Sequence, residues 1–337
     1  MKSHFDAITG KYARLRIAVV GDYCLDRYLE IDPARAEVSL ETGLEVHNVV
    51  NVRSQPGAAG TILNNLVALG VGQAFPVGFC GDDGEGFELL RALKAKPGLR
   101  LDQFVQTAER RTFTYCKPLV LEPGRPPREL NRLDSKNWSP TPETVQRQLI
   151  AAVESLAESV DALILMDQVE VAETGVVTRQ LLEAIRGISL RNPKLLILAD
   201  SRRSLRGYPP VGLKMNAREL ALLTERPATA SLEEIRGQAL ALARLQQRPV
   251  FVTLSERGII GATASGLAEH VPAFPVRGEI DVVGAGDAVT ANLTAALAAG
   301  ASLRETLELS MAAASVVLHQ LGTTGTASVT ELRGLLG

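Results

Sequence analysis

Asp281-Val282-Val283-Gly284-Ala285-Gly286-Asp287 runs directly into an Ala-rich, helix-patterned stretch at Ala288–Ala299 that ends before Gly300. Two glycines permit a tight turn whose N–H groups converge, and the helix N-terminus adds partial positive charge at the same point. Such a junction suits a phosphate or a phosphoryl group in transfer. Asp287, at the helix mouth, is placed to take a proton from an attacking hydroxyl. A plain turn with an acidic helix cap would use the same residues, and this stretch alone leaves both open.

Upstream, short apolar runs rich in β-branched residues alternate with helix-patterned stretches. The runs are Arg16–Val20, Ala74–Phe79, Asp161–Met166, Lys194–Ala199, Gly212–Met215 and Val250–Leu254. The helices are Ala58–Leu69, Glu85–Ala95, Pro142–Ala157, Gly175–Arg186 and Leu232–Leu245. This alternation predicts an α/β fold with a mainly parallel central sheet covered on both faces. Two stretches break it, residues 27–53 and 111–132, with strand-like Leu44–Val52, Thr112–Val120 and Glu129–Leu133. They predict a small β lid projecting from the main sheet, with Pro123–Pro127 as a turn between two lid strands; long surface loops are the alternative.

The 337 residues suffice for one α/β domain, and 46% hydrophobic content spread along the chain supports a sizeable core. With 36 Lys plus Arg against 38 Asp plus Glu, the formal net charge is −2, which gives no general pull toward nucleic acid or anionic membrane. Cys24, Cys80 and Cys116 have no metal-ligand spacing, and the N-terminus carries no signal-peptide pattern. No segment reaches the roughly 18–20 apolar residues of a membrane helix. A soluble, cytoplasmic protein with reduced thiols is the expectation.

Other segments narrow the chemistry. The chain contains no Gly-x-x-x-x-Gly-Lys-Ser/Thr, and no Gly-x-Gly-x-x-Gly follows the first strand. Arg132-Leu133-Asp134 only superficially resembles a protein-kinase catalytic loop, since its His is missing. Gly57-Ala58-Ala59-Gly60-Thr61 allows close approach of a ligand to backbone or, equally, tight helix–sheet packing. Asp22 and Asp26 lie beyond the first strand, where α/β sheets bind ligands and where carboxylates suit sugar hydroxyls.

Gly21-Asp22-x-x-x-Asp26, Pro56-Gly57-Ala58-Ala59, Asn216-x-x-Glu219, Thr253-x-Ser255-x-x-Gly258 and Asp281-x-x-Gly284-x-Gly286-Asp287 occur in one order. In that order they resemble the ribokinase-like (PfkB) carbohydrate kinases, over about Arg16 to Thr330. Gly21–Tyr28, Asn131-Arg132-Leu133-Asp134 and Leu321-Gly322-Thr323 are most similar to the heptose-7-phosphate kinase branch. Some relatives there carry a fused nucleotidyltransferase domain; a single kinase domain over residues 1–337 is the expectation here.

The resemblance implies a three-layer α/β/α ribokinase-like fold and an ATP-dependent carbohydrate kinase acting on a hydroxyl of a sugar or sugar phosphate. Asp287 would be the general base, and the backbone of Gly284, Ala285 and Gly286 would stabilise the transferring phosphoryl group. Asn216 and Glu219 would order Mg²⁺, Glu219 through water, and Thr253, Ser255 and Gly258 would line the ATP site. Asp26, Gly57, Thr61, Arg132 and Asp167 would meet the sugar beneath a water-excluding lid. A monovalent cation and a homodimer through lid strands fit the same family. A nucleoside kinase and a non-catalytic sugar- or nucleotide-binding sensor are the alternatives within this fold.

The acceptor side departs from the family pattern. Ala58 replaces a second Gly, Thr61 stands where an Asn is expected, and Met311 replaces an Asn near the adenine. Asp167-Gln168-Val169-Glu170 replaces Asp-Tyr-x-Lys-Gly, so Glu170 would repel a sugar phosphate; Asp200-Ser201-Arg202 replaces Asp-Pro-Lys. The expectation is conserved phosphoryl-transfer chemistry with an altered acceptor.

Overall fold

The six apolar runs form the parallel part of an eight-stranded sheet in a computed structural model that describes residues 2–226 and 231–336. Its strands are β1 (Arg16–Gly21), β2 (Gln73–Val77), β3 (Ala162–Asp167), β4 (Leu196–Ser201), β5 (Gly212–Asn216), β6 (Val250–Thr253), β7 (Ile259–Ala262) and β8 (Ala268–Val271). Their spatial order is β8-β7-β6-β5-β4-β3-β1-β2. Pairing is parallel from β2 through β6, whereas β7 and β8 add antiparallel strands that the sequence analysis left unassigned.

Helices cover both faces. They are α1 (Lys2–Thr9), α2 (Ala59–Ala68), α3 (Gly84–Lys94), α4 (Glu143–Ala157), α5 (Arg179–Arg191), α6 (Ala217–Thr224), α7 (Leu232–Gln246), α8 (Ala285–Ala298), α9 (Leu303–Leu318) and α10 (Val329–Leu336). Ala18 and Val20 of β1 join the apolar cluster built with α4, α5, α6 and α7, while Ile17 and Val19 join the one built with α2, α8 and α9. Alternate side chains are therefore buried on opposite faces, which is why these strands read as continuous apolar runs. The result is the three-layer α/β/α arrangement. Among the described residues, no helix is long and apolar enough to cross a membrane.

Helix α8 lies deep in one of these layers, packed against α2 and α9. Its alanines permit close approach. Of its buried polar groups, Asn292 Nδ2 and the Thr294 hydroxyl donate to the carbonyls of Ala288 and Thr290, four residues back, and the Thr290 hydroxyl lies within reach of the Gly286 carbonyl and of Asp200, while Asn292 Oδ1 has no partner.

The lid is a second, five-stranded sheet of Tyr23–Ile31, Val49–Ala58, Phe113–Val120, Arg128–Glu129 and Leu133–Ser135. It reaches further toward the core than residues 27–53 and 111–132, because Tyr23–Ile31 continues β1 after only Asp22. Tyr23–Ile31 pairs antiparallel with Val49–Ala58 and parallel with Phe113–Val120. Pro123–Pro127 lies in the turn between Phe113–Val120 and Arg128–Glu129, as expected.

Candidate active site

Successive strands leave β1 in opposite directions, with β2 on one side and β3 on the other, and the crevice beyond their carboxyl ends is where such sheets bind ligands. The Gly284–Asp287 turn begins α8 beside it. The helix starts at Ala285, three residues earlier than the sequence analysis placed it, so Asp287 lies within the first turn. Gly284 is the N-cap, left-handed at φ +82°, and a β-carbon there would lie 3.4 Å from Thr324 and 3.5 Å from Thr61 Cγ2. Asp281 braces the turn by accepting from the amides of Val283 (3.0 Å) and Gly322 (3.2 Å).

The acidic-cap alternative thus fails, because the cap residue is a glycine and Asp287 keeps its carboxylate uncommitted. Asp287 is half-buried. Desolvation first, then the Asp200 carboxylate, push its carboxyl up to about 7, against the pull of the Lys214 ammonium; Asp26 adds a smaller upward push. A carboxylate poised there suits a general base.

On one side of this turn lies a cavity of about 530 Å³, lined by Thr253, Ser255, Gly258, Phe274, Gly286 and Met311 among others. The structure therefore brings the three expected nucleotide-site residues together with the glycine turn. Gly258 takes φ +92°, and a β-carbon on it would run into the Val271 carbonyl, so only glycine closes this bend. Asn216, paired in register with Thr253, caps α6. Its Oδ1 accepts from the Glu219 amide (2.9 Å) and its own amide donates to Glu219 Oε2 (2.7 Å). That capping box fixes Glu219 and leaves Oε1 available. A wider groove of about 1100 Å³, lined by Leu205, Arg226 and Leu242, contains none of these residues.

Asp26 and Gly57 meet on two paired lid strands, Tyr23–Ile31 and Val49–Ala58. A β-carbon on Gly57 would lie 2.5 Å from Asp26 Oδ2, so the glycine makes room for the carboxylate. Asp26 is 5% exposed and pairs with Lys117 Nζ at 3.4 Å. Burial raises its pKa, with Lys117 and then Arg132 opposing. Arg132 pairs with Asp134 at 2.7 Å and lies over the Tyr115 ring, 5.2 Å from its centroid, with Lys136 at 5.9 Å from the same ring. Arg202 is exposed and also acts on Tyr115. Glu170, expected to repel a phosphate, is held by Lys136 at 3.2 Å.

Three residues stand differently from their sequence reading. Asp22 is fully buried rather than facing ligand or solvent; it accepts from the amides of Val176 (2.7 Å), Gln168 (2.8 Å) and Val169 (3.2 Å). Asp167 is also fully buried, accepting from Ser201 (2.9 Å), Arg203 (2.9 Å) and Tyr208 (3.2 Å), with Oδ1 left unpaired. Thr61 has no exposed surface, and its Oγ1 has no partner. Lys214 and Lys117 were not singled out from the sequence. A lone Lys inside the apolar run Gly212–Met215 was the available signal for the first.

Fold and site together define the ribokinase-like class of α/β proteins. The chain belongs to the pfkB family of carbohydrate kinases, whose profile matches residues 16–330. It is 31% identical to the bifunctional protein HldE of Bradyrhizobium sp. (strain ORS 278), over 98% of this chain and 65% of that protein. The chain thus spans just under two thirds of the curated relatives it matches. Among solved structures, Phosphofructokinase-2 from Escherichia coli in complex with substrates and products superposes with TM-score 0.71 at 19% identity, covering 95% of this chain and 97% of that one. Arabidopsis thaliana ribokinase complexed with ribose and ATP gives TM-score 0.67 at 20% identity, covering 96% and 98%.

Proposed function

We propose that the protein is an ATP-dependent kinase that phosphorylates a hydroxyl of a sugar or sugar phosphate. One observation carries this: Asp287, with its carboxyl raised to about 7, stands in the first turn of α8 beside a nucleotide-sized cavity lined by Gly286, and near enough to Asp26 of the lid to feel its charge. The cavity fits an adenine nucleotide, with Met311 and Phe274 as apolar walls and the first amides of α8 beside it. Glu219 Oε1, left free by the capping box, would suit indirect, water-mediated contact with Mg²⁺. Bound Mg·ATP supplies the phosphoryl group and neutralises part of its charge. Asp287 then accepts the acceptor's hydroxyl proton, Gly284, Ala285 and Gly286 present backbone donors, and Asp26 orients the acceptor. Potassium addition tests the monovalent-cation expectation.

The cations around Tyr115 favour an acceptor that already carries a phosphate, with Arg202 as the one whose charge no carboxylate answers among the ion pairs of the described residues. Likeness to HldE supports a heptose-7-phosphate-like compound as the first candidate. Buried Asp167 would hold Arg203 on this side rather than touch the sugar, and Thr61 would back the turn through Gly284. An ADP-coupled assay with Mg·ATP against hexoses, heptoses, their phosphates and nucleosides tests the function. Acceptor-dependent ADP that vanishes in Asp287→Asn is the expected result; ATP binding without turnover on any acceptor would favour a sensor.

We also propose pairing of two copies through the lid, whose edge strand Val49–Ala58 exposes Val50 and Val52. A monomer by sedimentation would overturn it.

A further inference from the structure

Lys214 is a buried cation with carboxylates on several sides. It points from β5, two residues before Asn216, and its ammonium donates to Asp200 Oδ2 at 2.7 Å. Thr290, one turn into α8, has its hydroxyl 3.0 Å from the same oxygen. Asp287 and Glu219 also act on the ammonium, after Asp200. Nζ lies 3.3 Å from where a β-carbon on Gly286 would stand. The cation therefore abuts the one glycine of the α8 turn that also lines the nucleotide cavity.

Burying an ion pair contributes little to folding compared with an apolar pair of the same shape, so its placement calls for another account. Resting on the kinase function proposed above, we infer that Lys214 is a catalytic residue whose ammonium contacts the transferring phosphoryl group beside Gly286, with Asp200 and Thr290 as the positioning residues that aim it. In that step the acceptor oxygen forms a bond to the γ-phosphorus while the bond to the ADP oxygen breaks. The bonding pair leaves with ADP, the hydroxyl proton passes to Asp287, and Lys214 stays protonated throughout. Its charge meets the equatorial oxygens where negative charge is spread, a role the backbone amides of α8 fill from one side only.

A purely structural lysine would serve to neutralise Asp200, and two variants of the full chain separate the two roles. Lys214→Met should lower kcat by about 10²–10³-fold, the size of losing one preorganised donor, while ATP affinity measured by calorimetry changes much less. The double variant Lys214→Met/Asp200→Asn removes the stranded carboxylate and should remain as slow. Recovery of kcat in the double variant, or near-normal kcat in folded Lys214→Met, overturns the inference; so does a loss of ATP affinity as large as the loss of kcat.

A pH profile adds a readout that folding defects do not mimic. The charged groups that bear on Asp287 are Asp200, Lys214 and Asp26. Lys214→Met should move the acid limb of kcat/KM upward, and Asp200→Asn should move it downward; an unmoved limb in both counts against contact at the reaction centre. Wild-type protein that turns over no acceptor removes the kinase function and this inference with it. Turnover by wild type with an unaffected lysine variant removes this inference alone.

Discussion

The proposed donor and acceptor halves of the site are built on different principles. The proposed donor half is built from short local segments: the Gly284 turn, the Gly258 bend and the Asn216–Glu219 capping box each come from one stretch at the end of a strand or the start of a helix. The proposed acceptor half consists of charged side chains held in ion pairs, most of them on or beside the lid strands: Asp26 is answered by Lys117, Asp134 by Arg132, and Glu170, beyond the end of β3, by Lys136. Backbone geometry tolerates few replacements, whereas paired side chains can be exchanged in sets. If the proposed roles hold, acceptor specificity could change in this chain without disturbing the glycine turns.

The sharpest way to break that contrast is at Asp287, where both halves meet. Asp287→Asn should lower turnover by about two to four orders of magnitude with ATP binding retained; near-normal turnover would refute its role as base. In wild type, kcat/KM should rise with pH through about 7, because the carboxyl raised to that value must lose its proton to act. A flat profile between pH 6 and 8 would contradict this.

Smaller effects should sort by half. Asp26→Ala removes a charge-assisted contact and should raise KM for the acceptor by about 10–100-fold while leaving KM for ATP unchanged. An equal change in both constants would erase the distinction. Glu219→Gln should raise the Mg²⁺ concentration needed for half-maximal rate by about 10-fold, the low end for an outer-sphere partner, with acceptor KM unmoved.

The smallest effect concerns Ala58, which holds φ +54° and ψ −118° at the start of α2. That region belongs to glycine, so Ala58→Gly should stabilise the fold by about 1 kcal/mol after the entropy cost of glycine in the unfolded chain is subtracted. Urea denaturation measures it. Lower stability would mean that the lid contacts of the methyl outweigh the strain.

The same division explains what could be read from the chain. Parallel strands such as Ala162–Asp167 and the glycine turn were legible because their signals are local: unbroken apolar runs and fixed spacing. Tyr23–Ile31 was not, since Asp26, Arg27 and Glu30 interrupt its apolar pattern and its partners lie at Val49–Ala58 and Phe113–Val120. Asp22 misled for a related reason. A carboxylate after a first strand looks like a ligand contact, and only the distant amides of Gln168, Val169 and Val176 show where it is spent. Lys214 escaped because its neighbours Asp200, Gly286 and Thr290 come from two other elements.

The direct passage of β1 into Tyr23–Ile31 has a mechanical consequence. The lid is a cantilever clamped at its root, not a door on a hinge. Asp22 is the clamp, tying that root to the 168–176 segment through three amides. Bending should therefore grow with distance from Asp22, so amide hydrogens near Tyr23 should exchange slowly and those toward Pro33–Val46 quickly.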